Sequence, residues 1–197
     1  MMRPRQLILA SGSRYRKELL TRLGLAFDCA LPDVDETALP GESAAAMASR
    51  LAIAKARAID APNALVIGSD QAPALGETIL RKPGSRSAAV EQLLACRGRT
   101  VEFHTAICLL DTASGQTRLH ADTTDVTFLD LPAAAIERYV EIEVPVDSAG
   151  GFKVEGLGIT LFERIHSSDP TALIGLPLIA LARLLRDAGL DPLAPRG

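Results

Sequence analysis

Gln6-Leu7-Ile8-Leu9-Ala10-Ser11-Gly12-Ser13-Arg14-Tyr15-Arg16 carries the reading of the fold. After Gln6, four apolar residues make a short continuous run, as a strand buried on both faces requires. Ser11-Gly12-Ser13 breaks it. A helix is predicted from Arg14 to Leu23, with Leu19, Leu20 and Leu23 as its apolar stripe and Gly24 as its stop. Strand, small-residue turn and helix in that order are the opening of an α/β fold.

The pattern repeats outward from there. Phe27–Leu31 reads as a second strand, followed by the acidic loop Asp33-Val34-Asp35-Glu36. Ser43 is a predicted cap for a helix reaching Ile59, with Met47, Leu51, Ala54 and Ala58 on one face and Lys55 at its edge. Ala64–Ile67 is a third buried strand, with Gly68-Ser69-Asp70-Gln71 just past its end, and a loop or hairpin then reaches Leu80. A helix spans Ser85 to Leu94. Two long strands, Thr100–Leu110 and Gln116–Leu129, form a predicted antiparallel hairpin through Ser114-Gly115. Pro132 opens a helix to Glu141, residues 146–155 are glycine-rich and irregular, Ile159–Ile165 is a strand, and Pro177–Ala188 is a last helix. The class is mixed α/β, as one domain over 1–197 with a frayed tail at 190–197.

Composition narrows the function. With 197 residues the chain can bury roughly 70% of its unfolded surface. It is 48% apolar with a net charge of −3, which excludes disorder as the main state. No apolar run nears the ~20 residues of a membrane span, and Leu7–Ala10 is too short for a signal-peptide core, so a cytoplasmic protein is expected. The 21 basic and 24 acidic residues, with 4% aromatics, argue against a nucleic-acid partner. Cys29, Cys96 and Cys108 lack metal or disulfide spacing and are expected as small core residues.

Four groups of residues bear on chemistry. Ser11, Ser13, Arg14 and Arg16 surround a helix start, where free amides, hydroxyls and guanidinium groups suit an anion; the plain alternative is a serine cap with solvated arginines. Asp70 stands at the carboxyl end of a strand, the usual place for α/β ligand chemistry, and Gly68 permits a close approach there. Asp33, Asp35 and Glu36 with Asp70 offer oxygen ligands for Mg²⁺; the plain alternatives are a solvated acidic loop and a turn-forming aspartate. Only four lysines stand against 17 arginines, and three of them, Lys55, Lys82 and Lys153, fall in these motifs, Lys153 between glycines that let the backbone approach a ligand. Cationic groups with metal-capable carboxylates indicate phosphoryl chemistry.

These stretches, in this order, resemble the Maf family of nucleotide pyrophosphatases, the septum-formation-inhibitor-like proteins. The matching segments are Leu7–Arg16, Asp33–Glu36, Arg50-Leu51-Ala52 leading to Lys55-Ala56, Gly68–Gln71, Lys82-Pro83, Ser148-Ala149-Gly150 and Gly175-Leu176-Pro177. The resemblance implies a two-lobed α/β fold related to that of inosine triphosphate pyrophosphatase, with a mixed sheet, flanking helices, a nucleotide cleft between the lobes, and a homodimer. It implies hydrolysis of a nucleoside triphosphate to the monophosphate and pyrophosphate with a divalent metal, Mg²⁺, Mn²⁺ or Co²⁺. Asp70 matches the general base, Glu36 the second acidic position and, with Asp70, the metal pair. Ser11, Arg16, Lys55 and Lys82 match the phosphate-contacting set. Tyr15, Gln71 and Glu155 occupy the specificity positions. Tyr15 and Phe152-Lys153-Val154-Glu155-Gly156 are similar to the branch acting on 7-methyl-GTP, not the branch acting on dTTP and UTP. Two alternative readings are the same chemistry on dTTP or UTP, and a nucleotide-binding regulator of cell division with little catalysis. His104-Thr105-Ala106 departs from the family's usual Thr-Gly run.

Overall fold

A computed structural model describes residues 5–194. Its helices are α1 (Arg14–Thr21), α2 (Ala44–Arg57), α3 (Arg86–Cys96), α4 (Ala133–Glu143) and α5 (Leu178–Asp187). Its strands are β1 (Gln6–Ala10), β2 (Asp28–Ala30), β3 (Ala64–Leu75), β4 (Thr78–Ile79), β5 (Thr100–Asp111), β6 (Thr117–Phe128) and β7 (Phe162–His166). They form one mixed sheet in the order β2-β1-β3-β5-β6-β7, with β4 paired to β3. The α/β class expected from the sequence is the observed one.

The chain divides into two compact units. Among the described residues, the first comprises 5–71, 105–122 and 169–194, and the second 72–104 and 123–168. Strands β3, β5 and β6 each contribute residues to both.

In the first unit β1 runs parallel to β2 on one side and to β3 on the other, with Ala10 opposite Gly68. The chain therefore leaves β1 in one direction and returns on its other flank, so a crevice is expected beyond the carboxyl end of β1, beside Gly68 of β3. Leu7, Leu9, Leu19, Leu20, Leu65, Ile67, Ile107, Leu109, Leu181 and Leu185 make the core beneath it, where strand residues meet α1 and α5. Four-residue apolar runs in β1 and β3 are explained by burial on both faces.

In the second unit β3 turns through Gly76 (φ 61°) into β4. Strand β7 pairs antiparallel with β6. Phe103, Phe128, Phe152 and Phe162 interlock edge to face at 4.8–5.7 Å between ring centres. Four of the chain's five phenylalanines thus concentrate in one cluster, which compensates for the scarcity of aromatics elsewhere.

Several expectations are corrected. Strand β3 does not end at Ile67 but continues through Asp70 and Gln71 to Leu75. The strand expected at Ile159–Ile165 begins only at Phe162, because Leu157–Leu161 winds into a 3-10 turn with Gly158 backed against the Lys153 carbonyl. The buried face of α2 is Ala44, Ala48, Leu51, Ala52, Lys55 and Ala56, rotated from the Met47–Ala54–Ala58 stripe. Cys96 and Cys108 are buried as expected, but Cys29 is exposed on the edge strand β2. Leu190 packs against the core and donates its N–H to the Leu185 carbonyl, and Pro192 is buried. Residues 195–197 lie outside the described residues.

Candidate functional site

Lys55 is the centre of the site. A lysine on the buried face of a helix needs a partner, since an unpaired buried charge costs several kcal/mol. Lys55 is 6% exposed, and its Nζ lies 2.6 Å from Asp70 Oδ1 and 2.5 Å from Glu36 Oε1. Three sequence-predicted residues, from a helix, a strand and a loop, are therefore joined by one ammonium. Close packing makes this possible. A Cβ on Gly68 would lie 2.6 Å from the Ala56 nitrogen, so only glycine lets the α2 backbone rest on β3. The close approach inferred at Gly68 is that of a helix.

Asp70 is 7% exposed. Burial pushes its carboxyl above the ordinary carboxylate value and outweighs the downward pull of Lys55 and Arg16, while Glu36 adds a further push upward. A carboxylate raised in this way is a better proton acceptor near neutrality than a solvated aspartate.

Beside it, Ser11 and Arg16 stand together at the end of β1. Ser11 Oγ accepts from the Ser13 N–H at 3.1 Å and from Arg16 Nη1 at 3.5 Å. Burial lowers the Arg16 guanidinium from its ordinary value, opposed by the charges of Asp70 and Glu36. Ser13 caps α1, its Oγ accepting the Arg16 N–H at 3.4 Å. Arg14 is not gathered in. It pairs with Glu18 at 3.4 Å and lies over the Tyr15 ring at 5.1 Å. The two arginines at a helix start are thus each balanced, one by a carboxylate on the next turn and one by oxygen acceptors.

Gln71 Nε2 donates to Thr105 Oγ1 at 2.9 Å and to the Ala172 and Leu173 carbonyls at 3.0 Å. Three acceptors identify that end as the amide nitrogen. Whatever Gln71 offers a base is therefore its Oε1. Of the acidic loop, Asp35 is turned inward on itself: its Oδ1 accepts the Thr37 N–H at 2.8 Å, and hydrogen bonding from Thr37 holds its carboxyl below the usual range. Asp33 is exposed. Only Glu36 of the loop reaches Lys55.

In the second unit Lys82 is exposed, just ahead of Pro83. Lys153 donates its backbone N–H to Tyr139 Oη at 3.1 Å, and its Nζ to the Glu143 carbonyl at 3.4 Å, with Asp147 at 3.6 Å. Burial pushes the Tyr139 phenol up to about 12, so it stays protonated while accepting that bond. Glu155 is exposed, on the turn between Lys153 and Leu157.

Among the described residues, no group of three or more His, Cys, Asp or Glu side chains could hold a metal ion. Asp70 and Glu36 are two carboxylates converging on one cation, and Mg²⁺ is commonly held by one or two carboxylates with phosphate oxygens and water. The donor set fits such an ion.

Residues without an assigned role complete the site. Arg50 grips Glu42 through two bonds of 2.6 and 2.7 Å and donates to the Thr37 carbonyl, tying the loop that carries Glu36 to α2. The Gly175 carbonyl accepts from Arg16 Nε and from Ser69 Oγ, each at 2.9 Å. Arg50, Ser69 and Gly175 all lie within the quoted motifs, which signalled the segments but not the part each residue plays.

No described helix is long and apolar enough to cross a membrane. Curated relatives named 7-methyl-GTP pyrophosphatase match almost the whole chain. One from Xanthomonas oryzae pv. oryzae is 56% identical over 95% of this chain and 98% of its own. One from Cupriavidus metallidurans is 54% identical over 93% of each. One from Burkholderia lata is 53% identical over 94% of this chain and 91% of its own. The family model described as Maf-like protein matches residues 6–188, from β1 to just beyond α5, and the chain belongs to that family.

Proposed function

We propose that the protein hydrolyses 7-methyl-GTP to 7-methyl-GMP and pyrophosphate. The single observation that carries this reading is the buried Lys55 shared by Asp70 and Glu36 beside Arg16, in a chain so similar to 7-methyl-GTP pyrophosphatases.

Ser11, Arg16 and Lys55 bind the phosphates, with Ser13 and Arg14 at the same helix start and Lys82 and Lys153 in the second unit assigned from the sequence. Asp70 and Glu36 would hold a divalent cation, Mg²⁺, Mn²⁺ or Co²⁺, which would supply charge neutralisation for the triphosphate. Asp70 accepts a proton from the attacking water, and Lys55 keeps that carboxylate oriented. The water oxygen bonds to the α-phosphorus, the bond to the bridging oxygen breaks, and pyrophosphate leaves with the electron pair. Positioning and charge stabilisation account for most of the rate.

For the base, Tyr15 supplies a π face for the cationic 7-methylguanine ring, worth roughly 0.5–2 kcal/mol. Glu155 and Gln71 Oε1 are acceptors for the guanine N1 and N2 donors. A homodimer in the cytoplasm is the proposed form.

The test is a metal-supplemented panel of canonical and modified triphosphates with pyrophosphate detection. The expected result is the highest kcat/KM on 7-methyl-GTP. Higher turnover of dTTP or UTP overturns the substrate assignment. Thermal stabilisation by nucleotide without pyrophosphate release makes the chain a binding regulator instead.

A further inference from the structure

We propose that residues 169–177 form a strap whose Gly175 carbonyl aims the Arg16 guanidinium at the triphosphate, with Thr105 and Ser69 as positioning residues. The inference rests on the phosphate-binding role given to Arg16 above.

The strap is fastened along its length. At its start Asp169 Oδ1 accepts the Thr171 N–H and hydroxyl at 2.9 and 2.6 Å, and its Oδ2 accepts the Ile179 N–H at 2.7 Å. Thr171 Oγ1 accepts the Leu178 N–H at 2.8 Å. These bonds stand in for a cap on α5, whose N-cap residue Pro177 makes no side-chain capping bond. In its middle Thr105 Oγ1, fully buried, donates to the Ala172 carbonyl at 3.0 Å while accepting from Gln71. At its end Ser69 Oγ, also fully buried, donates to the Gly175 carbonyl.

Only then does that carbonyl meet Arg16. A guanidinium is a planar fork, so binding its Nε fixes the plane in which the remaining N–H groups point. Gly175 has φ of +116°, and a Cβ there would sit 3.4 Å from Arg16 Nε. The positive φ favours glycine at this turn, and Arg16 packs against it at ordinary van der Waals distance. A segment that only stabilised α5 would need the Asp169 and Thr171 bonds but neither Ser69 nor Thr105 beneath it.

The test uses Thr105→Val, Thr105→Ser and Ser69→Ala in the full chain. Thr105→Val keeps the shape and removes the hydroxyl. An interaction made equally in the ground and transition states moves KM and spares kcat, so KM for 7-methyl-GTP should rise about tenfold at nearly constant kcat. Thr105→Ser should restore KM, and Ser69→Ala should shift it in the same direction. In an Arg16→Lys background, which lacks the Nε bond, Thr105→Val should add nothing further. Additive effects in that cycle overturn the inference, as does a lowered Tm with unchanged KM. Calorimetric affinity for inorganic tripolyphosphate separates the two readings. If the wild type hydrolyses no nucleotide yet its tripolyphosphate affinity falls about tenfold on Thr105→Val, the proposed function fails and the strap stands. Unchanged affinity, or no tripolyphosphate binding by the wild type, overturns the strap.

Discussion

Gly68 presses its bare α-carbon against Ala52 and Ala56 of α2, and that contact sets the distance from Lys55 to Asp70. A Cβ at Gly68 would sink into the Ala52 carbonyl oxygen and lie 3.0 Å from the Ala56 Cβ. Helix and strand backbones have no side chain to give way. Gly68→Ala should lower stability by about 3 kcal/mol, a fall in Tm of roughly 6–12 °C. The folded fraction should lose activity as well, because Lys55 is carried away from Asp70. Thermal denaturation alongside pyrophosphate release measures both, and an unchanged Tm refutes the packing argument.

Asp70→Asn should abolish pyrophosphate release, by about 10³-fold or more, while the protein stays folded. Its stability should also show a pH signature. The folded Asp70 carboxyl is raised above its ordinary value of 3.8, so the folded state binds more protons than the unfolded one just above that value. Wild-type stability therefore falls as pH rises from 3.8 to the higher folded value. The neutral Asn variant lacks this loss. The Tm of the variant minus that of the wild type should increase across that window, and a flat difference contradicts the raised carboxyl.

Arg50→Ala should free the loop that presents Glu36. The expected result is about tenfold weaker activation by divalent metal, since partners one step behind a metal ligand usually matter by that factor or more. Glu42, held by Arg50, has its carboxyl lowered from 4.5 to about 2. The stabilisation is present above 4.5 and lost as pH falls toward 2. The Tm gap between wild type and variant should close over that interval in acid titration.

Glu143 Oε2 accepts the Leu157 N–H at 3.0 Å, and a Cβ on Gly156 would lie 2.7 Å from the same oxygen. The turn that carries Glu155 is thereby held by α4. Glu155→Gln should reduce the ratio of 7-methyl-GTP to GTP turnover by about tenfold, the scale of one lost hydrogen bond to a charged group. Glu143→Ala should reduce it less, by relaxing the turn. Steady-state rates on the two nucleotides decide, and an unchanged ratio in Glu155→Gln removes its base-reading role.

The element types and their order were legible in the sequence because they are local. Apolar runs, serine caps at Ser13 and Ser43, and turns at Gly24, Gly115 and Gly189 each depend on a few neighbours. Residue chemistry was legible in the same way: Asp70, Glu36, Lys55, Ser11 and Arg16 could be nominated one motif at a time. What lay beyond reach was every relation between distant segments. Periodicity put Lys55 at the edge of its helix, because an alanine-rich helix shows no distinct stripe, and only packing on Gly68 decided which face turns inward. Asp70 reads as a loop residue because pattern cannot tell a strand that continues without apolar alternation from one that has stopped. Gly175 carries no side chain, and its part is played by a carbonyl that any residue possesses. Its meeting with Arg16, 159 positions away, exists only once the chain has closed around its core.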